Sequence, residues 1–180
     1  MRIVTISGKA QHGKDTFGNK LYDALKKNGD RVLLAHNADL LKYMCKAYFG
    51  WNGEKDSEGR KLLQYVGTDV VRKKEPDFWV DFLIRVMKLF DDSWDWVIIP
   101  DTRFPNEIDR FVDNGFDVTH VRVIRPDFDN GLSLEQQNHI SETALDNIIP
   151  DWIVVNDGSI ERLNLSVSSL VNHLKQGCKR

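Results

Sequence analysis

The sequence has little cysteine, little net charge and no long apolar run. Its two cysteines, Cys45 and Cys178, lie far apart and stand in no Cys-x-x-Cys or Cys/His spacing, which argues against a disulfide framework and against a structural zinc site. A reducing compartment is the expectation. With 25 basic and 27 acidic side chains the formal charge is −2, so no global basic field points to nucleic acid or to a membrane surface. No apolar stretch approaches the roughly 20 residues that span a bilayer, and Lys9 and Lys14 stand where a secretory leader would carry its apolar core. A cytoplasmic location is expected. Linkers, repeats and low-complexity tracts are missing too, so the 180 residues read as a single domain over 1–180.

What is present is an alternation of short apolar strands and amphipathic helices. RIVTI (2–6), RVLLAH (31–36), WVIIP (96–100), the stretch from about 117 to 124, and WIVV (152–155) read as five strands. Between them, Phe17, Leu21 and Leu25 recur at helical spacing up to Gly29, and Leu40, Leu41, Met44 and Ala47 form a second stripe. Two helical segments split at Pro76, the second with Phe78, Phe82, Val86 and Phe90 four apart, shadowed by Trp79, Leu83 and Met87. Phe78 and Trp79 read as core on that stripe. Pro105 opens a helix that Gly115 ends, and a last helix carries Ile160, Leu163, Val167, Leu170 and Leu174. Strands separated by helices predict an α/β fold with a parallel sheet and helices on both faces. One segment breaks the rhythm: residues 125–150 are long, polar and poorly periodic, which in a compact domain marks either a functional lid or a disordered stretch.

Chemistry concentrates first in GKAQHGKDT (8–16), where Gly8, Gly13 and Lys14 give Gly-x4-Gly-Lys directly after the first strand and at the start of a helix. That setting aims backbone N–H groups and the positive helix end at bound phosphate. The next position is Asp15 where a hydroxyl residue is usual. Its carboxylate is a hard oxygen ligand for Mg²⁺, with Thr16 one step later; equally, an acidic residue in a first turn is stabilised by the helix dipole.

GKAQHGKDT resembles the loop of the bacteriophage-type deoxynucleoside monophosphate kinases, in which Gly-Lys-Asp commonly replaces Gly-Lys-Ser/Thr, as it also does in the related animal-type phosphomevalonate kinases. HNADLLKYM resembles that family's Ala-Asp-x-Leu-Lys segment, and LLQYVGTDVVRKKEPDFWV its Gly-Thr-Asp/Glu-x-x-Arg helix. DTRFPNE resembles its Asp-x-Arg-Phe-Pro-Asn-Glu motif, the most specific of the four, and NHISE the His-x-Ser-Glu close of its lid.

The resemblance implies a three-layer P-loop kinase fold, with a five-stranded parallel sheet and a lid insertion at about 125–150. It implies transfer of the γ-phosphoryl group of ATP to a deoxynucleoside monophosphate, with Mg²⁺ as cofactor. Gly8, Gly13, Lys14, Asp15 and Thr16 would hold ATP, and Asp15, Thr16 and Asp101 the metal. Arg72 and Arg103 would grip the acceptor phosphate, since guanidinium forks suit phosphate oxygens. Asp39, Lys42, Asp101, Asn106 and Glu107 would complete the acceptor site. Lys14, Arg103 and Arg125 would act on the transferred group, and His139, Ser141 and Glu142 would belong to the lid. Plainer readings stand beside these: Arg72 in a solvated run with Lys73 and Lys74, Asp39 as a helix cap, Lys42 as an exposed charge, His139 as a hydrogen-bonding group of the lid, and Asp101 as the residue that orients Arg103. The adenine contacts are left open by the sequence; by position alone, after the fifth strand, the NDGS loop (156–159) is one candidate. Partners would be ATP and a nucleoside monophosphate, with neither nucleic acid nor membrane, and a homodimer stays open. Two alternatives remain: a kinase for another small phosphorylated acceptor, and a nucleotide-binding ATPase or switch without an acceptor.

Overall fold

The computed structural model describes residues 1–176; Cys178 lies outside them, so the cysteine reading is met here only by Cys45, which is free and buried. Five strands, β1 (Arg2–Ser7), β2 (Val32–Leu34), β3 (Trp96–Ile99), β4 (Asp117–Ile124) and β5 (Trp152–Val155), form one sheet in the order β2-β3-β1-β4-β5, with every neighbouring pair parallel. The expected β2 reached from residue 31 to 36. It pairs over three residues only, because His36 and Asn37 already turn toward the next helix, where the carboxylate of Asp101 takes up the Asn37 and Ala38 N–H groups.

Alternate residues of each strand face opposite layers. Val4, Ile6, Ile98, Val121, Val123 and Val154 meet α1 (Lys14–Lys27) and α8 (Ile160–Gln176) through Phe17, Leu21, Leu25, Leu163, Val167 and Leu170. Ile3, Val97 and Ile99 meet α4 (Phe78–Leu89) and α5 (Pro105–Asp113) on the other side. Strands covered on both faces carry near-continuous apolar runs, which is why RIVTI and WVII show no alternation of polarity.

Helix α4 turns a different stripe inward from the one that leads its sequence pattern. Trp79, Val80, Leu83, Ile84 and Met87 are buried, while Phe82 and Phe90 are exposed. Val80 and Ile84, flanking the shadow stripe, fit closely against the sheet, and that rotation carries Phe82 and Phe90 to solvent.

Helices α2 (Asp39–Tyr48) and α3 (Ser57–Gln64) enclose a smaller core of Leu41, Cys45, Trp51, Val66 and Trp79. From Tyr65 to Arg72 the chain continues α3 as a π-helix, a widened form found mostly at functional sites. Between β4 and β5 lie two short helices, α6 (Leu134–Asn138) and α7 (Ile140–Thr143), within an otherwise irregular polar segment. No helix among the described residues is long and apolar enough to cross a membrane.

Candidate active site

Strand β1 lies between β3 and β4, so the chain leaving it emerges at the point where the sheet connections diverge, a crevice that open α/β sheets use for ligands. Gly8 has φ +144°, and a Cβ there would come 2.2 Å from the Val123 carbonyl oxygen, so the loop runs against β4 in a way no side chain permits. Gly13 opens α1 in the left-handed region, at φ 94°. Lys14 folds back across the loop and donates from Nζ to the Lys9 carbonyl at 2.8 Å. Burial, reinforced by nearby Arg103, brings its ammonium down to about 8. Among the described residues the Lys9 carbonyl is its one hydrogen-bond partner, and a buried cation so placed, beside the N–H groups of a helix start, would suit an anion.

Next to the loop opens a cavity of about 360 Å³. Lys14, Asp15, Lys42, Arg72 and Asp101 line it, as do Arg103, Glu107, Ser141 and Glu142. Asp39, Asn106, Thr16, Arg125 and His139 do not.

Each charged group at the cavity has its own support. Asp101 accepts the Asn37 and Ala38 N–H groups at 2.9 and 3.0 Å, stapling the end of β3 to the β2–α2 turn. Arg72 is buried, unlike Lys73 and Lys74, and pairs with Glu107 while donating to the Pro76 carbonyl and to Asn106 Oδ1. Its guanidinium lies 3.8 Å over the Phe104 ring. Glu107 also accepts the Arg103 and Phe104 N–H groups, and burial pushes its carboxyl up to about 7 against the pull of Arg72. Asn106 is spent on Pro76, Asp77 and Arg72, so Asn106 and Glu107 stand as supports for Arg72 and Arg103. Arg103 reaches the Ser141 carbonyl at 2.9 Å and the Glu142 carboxylate.

Asp15 lies 3.7 Å from His36 Nε2, a contact that lowers the carboxyl of Asp15 and raises the imidazole of His36. Asp39 accepts from the His36 N–H and from Lys42 but does not cap α2: the N-cap is Ala38, with no side-chain bond, and Asp39 is the first residue of the helix. His139 shares a 2.8 Å hydrogen bond between Nδ1 and Ser141 Oγ, and its Nε2 lies 4.0 Å from Asp69 of the π-helix. Arg125 stands outside the cavity, its N–H on His12 Nδ1 and its guanidinium 3.7 Å over Phe128. In the NDGS loop, Asn156 Nδ2 donates to the His12 carbonyl at 3.0 Å, which brings that loop against the phosphate loop.

Several residues that border the cavity lie within stretches read from the sequence, with no sign of their own there that they would face a ligand. Asn37 lines the cavity, is 6 % exposed, and has neither side-chain amide atom paired among the described residues. Gln64, Thr68 and Trp79 also line it. Lys9, an anonymous loop lysine in sequence, bonds to the Glu142 carbonyl at 2.7 Å and to Asp146 at 2.5 Å.

Residues 44–167 match the family described as deoxynucleotide monophosphate kinase. The chain belongs to this family. It is 34 % identical over 118 residues to the deoxynucleotide monophosphate kinase of Enterobacteria phage T4, an alignment covering 64 % of this chain and 45 % of that one. To the enzyme of the same name from Escherichia phage RB69 it is 29 % identical over 114 residues, covering 62 % and 44 %. The chain therefore spans about half the length of the curated relatives it matches. Among solved structures it is similar to the APS kinase of Mycobacterium tuberculosis, as a Cys556Ala mutant (TM-score 0.55, 16 % identity, 95 % of this chain and 96 % of that one) and in complex with AMPPNP and APS (TM-score 0.56, 14 % identity, 97 % of each). That likeness gives the fold, a P-loop kinase α/β sandwich. The phosphate loop itself precedes the family-matched stretch and stands on its own geometry.

Proposed function

We propose that this member of the family is a deoxynucleoside monophosphate kinase that moves the terminal phosphoryl group of ATP to a deoxynucleoside monophosphate. The observation that carries this reading is the convergence of the buried Lys14 and of Arg103, from a motif remote in sequence, on one cavity beside the loop. Phosphoryl transfer asks for positioning and for neutralisation of charge, and those two cations would face each other across the transferred group. The N–H groups at the start of α1 would hold the inner donor phosphates. Arg72, fixed by Glu107, Asn106 and Phe104, would present its remaining N–H donors to the acceptor.

Mg²⁺ binds through one or two carboxylates together with substrate phosphates. Asp15, exposed and held ionised, fits that demand; Asp101 has both oxygens engaged by backbone N–H groups and fits it less directly. Among the described residues no three or more His, Cys, Asp or Glu side chains are grouped where they could hold a metal ion. Bound there, Mg²⁺ would neutralise phosphate charge beside Lys14. Residues 125–150 would serve as a lid that excludes water from the acceptor.

The test is ADP release measured in a coupled assay with each of the common ribo- and deoxyribonucleoside monophosphates, with phosphomevalonate as a further acceptor. Turnover with deoxynucleoside monophosphates supports the reading. ATP consumption independent of any acceptor would replace it with an ATPase or switch.

A further inference from the structure

Glu142 makes contacts that an ordinary lid residue does not need. Its side chain is 6 % exposed. One carboxylate oxygen accepts the Ala10 N–H of the phosphate loop at 3.0 Å, and the other meets the Arg103 guanidinium. It borders the acceptor cavity and also a second cavity of about 290 Å³ behind the loop, so it stands in the wall between them. The Lys14 ammonium feels its charge. A carboxylate held by a loop N–H and a guanidinium takes the donors that phosphoryl oxygens take.

Position along the loop says which phosphoryl group belongs there. The N–H groups at the start of α1 lie at the far end of the loop, from Gly13 onward, whereas Ala10 lies in its first half and lines the acceptor cavity. A phosphate chain laid from the helix start toward Arg103 brings only its outermost group to Ala10. We propose that Glu142 is a specificity-determining residue that reads the length of the donor's phosphate chain: a triphosphate must displace its carboxylate from Ala10 and Arg103, and a diphosphate leaves it in place. This rests on the part of the proposed function that makes the loop the donor-phosphate site. Displacement frees Arg103 for the phosphoryl group in transit, and after transfer the diphosphate no longer reaches, so Glu142 takes Arg103 back.

The test is calorimetric titration of the full chain with Mg²⁺-AMPPNP and with Mg²⁺-ADP. Glu142→Gln removes the competing charge, and AMPPNP is expected to bind about tenfold more tightly while ADP changes by less than about twofold. Glu142→Asp keeps the charge but is too short to span both partners, and it should shift the same ratio in the same direction by less; it decides the matter if the Gln variant does not fold. Equal shifts for the two nucleotides, or weaker AMPPNP binding in both variants, would overturn the proposal. A wild-type chain that binds both nucleotides but phosphorylates no acceptor would remove the kinase reading and leave this one standing.

Discussion

Lys14 and Asp15 are neighbours with opposite demands. On the proposed kinase reading, replacing Lys14 by Ala would remove a charge-assisted contact from the transition state, and turnover is expected to fall at least about a hundredfold in a protein that still folds. With its ammonium brought down to about 8, the wild-type free enzyme is expected to lose kcat/KM for ATP as pH rises through that value, because the neutral amine no longer offsets phosphate charge. A flat alkaline profile would count against it. For Asp15 the linked quantity is stability. The raised imidazole of His36 contributes below its ordinary 6.5 and loses its contribution as pH rises through the raised value, while the lowered carboxyl of Asp15 contributes above 3.8 and loses its part as pH falls through the lowered value. Asp15→Asn should therefore lower the melting temperature most between about pH 4 and 6.5 and little at alkaline pH, as thermal melts across that range would show. If Asp15 holds Mg²⁺, the same variant raises the Mg²⁺ concentration needed for half-maximal activity. Residues of this kind are legible when a short spacing fixes them, as Gly13 and Lys14 are fixed at a strand-to-helix turn. By spacing alone Arg72 is not, although its resemblance to Gly-Thr-Asp/Glu-x-x-Arg marks it: its bonds to Glu107, 35 residues on, to Asn106 and to the Pro76 carbonyl set it apart from exposed Lys73 and Lys74. Nor is Asn37, whose unpaired amide is a property of burial.

At the scale of elements, the five strands and most helices were readable because a sheet covered on both faces writes itself as short β-branched runs between amphipathic stretches. The π-helix was not. A turn of about 4.4 residues differs from one of 3.6 by less than eight positions can resolve, and what sustains the wider turn comes from elsewhere: Trp79 of α4 donates from Nε1 to the Gly67 carbonyl at 3.0 Å. Tertiary contact thus decides where the segment's last residue, Arg72, enters the cavity. Trp79→Phe deletes that cross-link and part of the packing around Leu41 and Val66, which should destabilise the fold by about 1–3 kcal/mol in urea unfolding. The KM for the acceptor should rise while ATP affinity holds, since the phosphate loop hangs from β1 and β4 instead. Loss of ATP affinity with unchanged acceptor KM would assign the π-helix to the donor side.

The whole molecule joins two halves of a site through one segment. The Gly-Lys loop belongs to the central sheet, the side proposed for the acceptor to α2, α3 and the π-helix, and residues 125–150 touch both: Lys9 and Ala10 on the loop, Arg103 beyond β3, and Asp69 on the π-helix. Length and polarity marked that segment in the sequence, but its contacts could not be read there, because each joins residues far apart in the chain. The contacts are almost all polar, and several are half-exposed, as Lys9 and Asp146 are at 37 % and 50 %. Such a seam is held weakly in water and strengthens when water leaves. It is therefore expected to open readily in the free protein and to close when donor and acceptor together fill the cavity, in keeping with the lid proposed above. Hydrogen exchange is the measurement: backbone amides from 125 to 150 should exchange quickly in the free chain and at least about tenfold more slowly with a bisubstrate nucleotide bound, while those of β1 and β3 stay slow in both. Equal rates with and without the analogue would mean that the segment is a fixed wall of the cavity, and exclusion of water would then have to come from the substrates alone.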